Sequence, residues 1–129
     1  AAEAIRQSLD GHPDILHAPG LTSPAIRQLV GHAAASLMPS LAEGYGLPVT
    51  EALALGTPIL ASSIPSHLEI GAGFAEFAPP DDPAAWADAL GRLASDAGHR
   101  AALRARIAEH EPMTAERYAA RIDAFLSGL

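Results

Sequence analysis

Pro39-Ser-Leu-Ala-Glu43-Gly44-Tyr45-Gly46-Leu47-Pro48-Val-Thr-Glu51-Ala-Leu-Ala-Leu-Gly56-Thr-Pro58 is the stretch that decides how this chain folds. The residues before it, Ser36 to Pro39, are mostly apolar and close on a proline that cannot join a central ladder, so they read as the end of a short buried strand. Gly44 and Gly46 bracket Tyr45 and let the backbone turn sharply without side chains in the way. Pro48 suits the first position of a helix, where its missing N–H would have had no intrahelical partner, and Gly56 with Pro58 ends that helix. A glycine loop leading from a strand into a helix gathers unpaired N–H groups and a positive dipole end at one spot. That arrangement favours an anion, and phosphate is the natural guest.

Outward from this stretch the chain alternates. Asp14–Ala18 reads as a short strand between Gly11-His-Pro13 and Pro19-Gly20. Thr22-Ser23-Pro24 starts a helix that places Ile26, Leu29 and Val30 on one face and closes at Gly31. Ala35–Pro39, Pro58–Ser62 and Phe74–Ala78 are the further strands, the last expected near an edge because Glu76 breaks its apolar run. After Pro79–Pro83 the chain turns helical, with Trp86, Leu90 and Leu93 in one stripe and Leu103 with Ile107 in a second. A helix beyond Pro112 and Thr114 aligns Tyr118, Ile122, Phe125 and Leu126, while the arginines from Arg92 to Arg121 read as solvated faces. Alternation of this kind predicts an α/β fold: a Rossmann-like parallel sheet with helices on both faces and ligands outside the carboxyl ends of the strands.

Two carboxylates flank the anion spot. Glu43 precedes the loop, and Glu51 lies one turn into the helix. Neither suits phosphate, but both can accept hydrogen bonds from hydroxyls, which fits a ligand with phosphate in its middle and sugars at its ends. Taken singly, each has another reading: Ser40-Leu-Ala-Glu43 fits a capping box, and Glu51 fits an acid placed for the helix dipole.

Glu43-Gly44-Tyr45-Gly46-Leu47-Pro48, followed by Glu51-Ala52, resembles the E-x7-E signature of retaining GT-B glycosyltransferases of family 4, the group 1 glycosyl transferases. His32–Ser40 resembles the stretch before the signature, Gly56–Ser62 the next strand, and Ile64-Pro65 through Glu69-Ile70 the loop after it, so the order matches from Leu21 to Asp96. The resemblance implies that Glu43 acts catalytically by holding hydroxyls of the donor sugar and that Glu51 holds the ribose hydroxyls. Gly44, Tyr45, Gly46 and Leu47 would offer main-chain N–H groups to sugar and diphosphate. Tyr45 stands where phenylalanine is more usual, with no expected change in function, and Glu69 matches a glutamate of the next loop or caps the segment that follows. The implied donor is a GDP- or UDP-linked sugar, used without a cofactor or metal, and the acceptor is a sugar or lipid-linked glycan. The loop Ala61–Ile70 looks most like mannosyl- and related transferases of bacterial surface polysaccharide assembly, cytoplasmic or peripheral at the inner membrane surface.

At 129 residues the chain holds one domain. The resembled enzymes have two Rossmann-like domains, so residues 1–129 are expected to be the later part of the C-terminal, nucleotide-sugar-binding one, with the N-terminal acceptor domain and the opening strands outside them. Ala1–Leu9 already reads as a helix. The charge fits this placement. All eight cationic residues other than histidine are arginine, and none lies between Arg27 and Arg92, whereas a diphosphate carries more charge than a helix dipole of about half an elementary charge can balance. In the resembled family an arginine and a lysine upstream clamp the diphosphate.

A net charge of −7 leaves no basic stripe for nucleic acid. Cysteine is absent, the six histidines share no ligand spacing, and Asp81-Asp82 is not an Asp-x-Asp metal motif. No apolar run approaches the roughly 20 residues of a membrane-spanning helix. Ser62-Ser63 lacks the elbow of a hydrolase, and a Glu43/Glu51 hydrolytic pair fits poorly beside an anion spot. The rival from another class is a non-catalytic sugar-nucleotide-binding module, or one half of a split transferase. An epimerase of similar architecture would need acids and histidines at other places.

Overall fold

The computed structural model describes residues 12–128; the helix expected over Ala1–Leu9 lies outside them. In chain order the elements are α1 (Ser23–His32), β1 (Ser36–Met38), α2 (Leu47–Ala54), β2 (Ile59–Ser62), α3 (Pro65–Gly71), β3 (Glu76–Ala78), α4 (Pro83–Ser95), α5 (Ala97–Ile107) and α6 (Ala115–Ser127). The three strands form one sheet in the order β1-β2-β3. Both pairs are parallel, with Ser36 opposite Ile59 and Leu60 opposite Glu76. As expected from the α/β alternation, each crossover carries a helix.

β2 is fully buried and shows why helices cover both faces. Successive strand side chains point to opposite faces, so Ile59 and Ala61 join Val49, Ala52 and Leu53 of α2, while Leu60 faces the other way into Ala89 and Leu93 of α4 and Leu103 of α5. β3 follows the same rule at the sheet edge: Phe77 packs on the first side and Ala78 on the second. Glu76, the polar residue that marked this edge in the sequence, is held by His99 of α5, Nε2 to Oε1 at 2.7 Å. The buried Thr57 hydroxyl donates to the Val30 carbonyl at 2.8 Å and ties α1 to the start of β2.

The helix ends follow from local chemistry. Thr22 caps α1 and Asp96 caps α5, the latter accepting from the His99 N–H at 2.9 Å. Asp82 caps α4 through the Ala84 and Ala85 N–H groups at 3.1 and 3.0 Å, and Pro83 occupies the first turn. Replacing Asp82 with Ala leaves two N–H groups of that first turn without their side-chain acceptor, and we expect a loss of about 1 kcal/mol in urea unfolding at unchanged slope. Thr114 caps α6, and hydrogen bonds from its own backbone N–H and from Thr114 hold the exposed Glu116 carboxyl below its ordinary value.

Several expectations need correction. Asp14–Ala18 is not a strand: it pairs with no strand among the described residues, and its side chains are exposed. A short apolar run becomes a strand only beside a ladder partner, and β1 makes its hydrogen bonds to β2. Gly31 does not close α1, which continues to His32, and Ile26 and Leu29 on the expected apolar face are exposed while Val30 packs inward. The segment read as a loop from Ile64 to Ile70 is largely α3, with Pro65 in its first turn. Not all later arginines are solvated faces. Arg100 donates to the carbonyls of Leu93 and Ala94 at 2.6 and 3.0 Å, closing the end of α4, and Arg104 donates to the Ala33 carbonyl at 3.0 Å.

Candidate active site at the glycine turn

The turn after β1 leads into α2 through Gly46, whose φ of +79° lies in the left-handed region. Only glycine takes that conformation without cost, and it allows the Gly46 carbonyl to receive both Val49 and Thr50 N–H groups at 3.0 and 3.3 Å. The N–H groups of Gly44, Tyr45, Gly46 and Leu47 have no backbone acceptor among the described residues. Pro48 has no N–H to offer. Four donors without a backbone acceptor and the positive end of α2 thus follow the carboxyl end of β1, the edge at which ligands of parallel sheets bind.

Glu43 stands on the approach to this turn. No helix starts at Ser40, so the capping-box reading falls away: the Ser40 hydroxyl instead donates to the Glu43 carboxylate at 2.8 Å. Glu43 lines a recess of about 190 Å³ with Leu41, Ala42, Ile64, Pro65 and Ser66. Glu51 is exposed in the second turn of α2, beyond the first turn where an acid complements the dipole. Both carboxylates thus lie free of a helix-capping role, one before the turn and one beyond it.

The structure adds a residue with no motif to announce it. His67 of α3 is fully buried, and its Nδ1 lies 3.1 Å from the Ser62 carbonyl at the end of β2. A carbonyl can only accept, so Nδ1 carries the proton toward it. The ring lies under Gly46: a Cβ built there would sit 3.2 Å from His67 Cδ2 and 3.4 Å from Ile70 Cδ1. His67 Nε2 is buried without a partner among the described residues. The signal available in the sequence was indirect: a turn that demands glycine implies something packed close behind it.

Glu69 is exposed on α3 and lines a second, polar cavity with Gly44 and Tyr45. It lies inside α3 and does not cap the segment that follows, since the next helix, α4, is capped by Asp82. Arg121 of α6 reaches the same cavity, so a cation does approach the glycine turn from far along the chain. Tyr118, Ile122, Phe125 and Leu126 form the expected stripe on α6 and are all exposed, flanking a trough that Tyr45 and Met113 complete. Among the described residues no group of three or more His, Asp and Glu side chains converges as for a metal ion, and no helix is long and apolar enough to cross a membrane.

A parallel sheet with a donor-rich glycine turn at a strand end, flanked by two acids, is suited to a ligand that carries both phosphate and hydroxyl groups. Residues 1–96 match the family Glycosyl transferases group 1, and the chain belongs to it. The chain is similar to the D-inositol 3-phosphate glycosyltransferase of Corynebacterium urealyticum, 43% identical over an aligned length of 86 residues, with 63% of this chain and 19% of that protein covered. It is similar also to the MMP alpha-(1->4)-mannosyltransferase of Mycolicibacterium hassiacum, at 37% over 87 residues, 64% of this chain and 21% of that one. The O-antigen chain mannosyltransferase RfbU of Salmonella typhimurium is 37% identical over 65 residues, 50% and 18% of the two chains. The matched stretch thus spans about a fifth of the length of these relatives.

Proposed function

We propose that this chain is the donor-binding part of a retaining glycosyltransferase, the later portion of its C-terminal domain, which moves a hexose from a GDP- or UDP-linked sugar to an acceptor hydroxyl in the assembly of a bacterial polysaccharide or glycolipid. The observation that carries the reading is the Gly46 turn, with four N–H groups lacking a backbone acceptor at the start of α2 and an acid on either side. The diphosphate would lie against these N–H groups, which stabilise the charge that grows as the bond to the anomeric carbon breaks. Glu43 would accept hydrogen bonds from the sugar hydroxyls and Glu51 from the ribose. The acceptor oxygen would enter from the face the diphosphate leaves, with no covalent enzyme intermediate and no metal. Relatives named as mannosyltransferases favour mannose as the sugar.

A second reading, a binding module or half of a split enzyme, draws on the charge: no lysine is present, and among the cavities at the turn Arg121 is the arginine that reaches one. Calorimetric titration of the complete protein with UDP-, GDP- and ADP-sugars tests both. Saturable binding of one donor, weakened about tenfold in Glu51→Gln by loss of a charge-assisted hydrogen bond, is expected. Binding without turnover in the complete protein would favour the module, and no binding of any donor would sink the transferase reading.

A further inference from the structure

Gly46 is supported from behind by a chain of buried contacts that begins at two strand ends. The Ser62 hydroxyl, at the end of β2, donates to the carbonyl of Met38, at the end of β1, at 3.3 Å. The Ser62 carbonyl in turn accepts from His67 Nδ1 at 3.1 Å. The far edge of the same ring lies against Gly46, where a Cβ would sit 3.2 Å from Cδ2 and 3.9 Å from Nε2. Ser62 and His67 are both fully buried. α3, which carries His67, is closely seated at its other end as well: a Cβ on Gly71 would come within 3.1 Å of Phe77 Cζ in β3 and 3.5 Å of Val49 Cγ1 in α2. A flat, rigid ring thus spans the gap between the strand ends and the glycine turn, and its length sets how far the turn stands from the sheet.

The residue type is informative. Space beneath Gly46 could be filled by an apolar ring, which would leave no polar atom buried. Histidine instead uses Nδ1 to hold the Ser62 carbonyl and leaves Nε2 buried with no partner among the described residues. Buried polar atoms are normally paired, so this orphan calls for a reason beyond packing. The hydrogen bond supplies one: it fixes the plane of the ring, which an apolar side chain of that shape could not do. Because His67 is fully buried, it reaches a ligand only through the turn. The turn is where orientation counts, since hydrogen bonds from its N–H groups to an anion weaken steeply once distance or angle departs from the optimum.

We propose that His67 is a positioning residue for the donor: acting through Gly46, it holds the N–H groups of the turn at the distance and angle that a diphosphate requires. The role rests on the transferase reading. It concerns the phosphates alone, because Glu51, assigned to the ribose, stands on the part of α2 that Val49, Ala52 and Leu53 anchor in the core.

The test compares UDP with uridine and GDP with guanosine on the complete protein, by calorimetry for the diphosphates and saturation-transfer NMR for the nucleosides. Wild type is set beside His67→Asn, His67→Phe and Asp82→Ala. Asparagine keeps an N–H for the Ser62 carbonyl but removes the ring beneath Gly46, whereas phenylalanine keeps a ring and removes the N–H. Asp82→Ala lowers stability at the cap of α4 and reports what lost stability alone does to binding. We expect both His67 replacements to weaken the diphosphate about tenfold, the scale of one hydrogen bond to a charged group, and to leave its nucleoside unchanged. Asp82→Ala should lower the urea midpoint and change neither affinity. Urea unfolding of each variant fixes the temperature at which it is folded, and should one His67 replacement fail to fold, the other decides. A folded His67 variant with wild-type diphosphate affinity, an equal loss for nucleoside and diphosphate, or the same loss in Asp82→Ala overturns the positioning role while the donor site stands. A wild type that binds no nucleoside diphosphate overturns the donor reading and this role with it.

Discussion

Gly46→Val should abolish donor binding and destabilise the fold by about 2–5 kcal/mol, combining roughly 1–2 for a left-handed residue that bears a side chain with the cost of overpacking. The added Cβ would lie 3.2 Å from the His67 ring and 3.4 Å from Ile70 Cδ1, and His67 cannot retreat easily, because it is fully buried and tethered to Ser62. A domain of ordinary stability, about 5–15 kcal/mol, survives such a loss in part, so the variant can be studied at low temperature by urea unfolding and calorimetry side by side. Gly44→Ala is the matched control: its Cβ meets nothing within 4 Å. We expect its unfolding midpoint to stay near wild type while donor affinity falls, since the new methyl stands where the backbone must meet the ligand. Equal destabilisation by the two changes would mean that the turn is held by something other than the Gly46–His67 contact.

The contrast between these glycines shows which parts of the site could be read from sequence. The turn was legible because its backbone demands are written in residue types: Gly46 for the left-handed φ, Pro48 inside the first turn of α2, and Gly56 at its end, also with a positive φ of 71°. β2 was legible because three consecutive buried apolar residues, Ile59 to Ala61, stand between the turn residues Gly56-Thr-Pro58 and Ser62-Ser63. Asp14–Ala18 has the same local pattern and forms no strand, since pairing is a property of the neighbour and not of the segment. α3 was hidden for the opposite reason. Ser62-Ser63-Ile64-Pro65 reads as turn chemistry, and the helix that starts at Pro65 has only seven residues, too few for a periodic signal. His67 and Arg121 join the site from 21 and 75 residues beyond Gly46 in the chain, through packing that no local pattern encodes.

Glu43→Gln should lower kcat/KM about 10- to 100-fold, because a hydrogen bond to a charged acceptor contributes about 1.5–3 kcal/mol and each 1.4 kcal/mol is tenfold. The amide keeps the shape and the bond from Ser40, so stability should be unchanged; Glu43 is exposed and its one described partner is that hydroxyl at 2.8 Å. Slow transfer of the sugar to water gives a readout that needs no acceptor. If the carboxylate holds sugar hydroxyls equally before and during transfer, the loss appears in KM; if it grips them harder as the anomeric carbon becomes cationic, the loss appears in kcat. The second outcome is expected, since a negative charge beside a developing oxocarbenium gains strength as the diphosphate departs. Ser40→Ala separates orientation from charge: it frees the carboxylate from its hydroxyl tether but keeps the charge, and should cost less than Glu43→Gln. A Glu43→Gln enzyme with full kcat/KM would remove Glu43 from the reaction and leave the N–H groups of the turn as the main source of transition-state stabilisation in this chain.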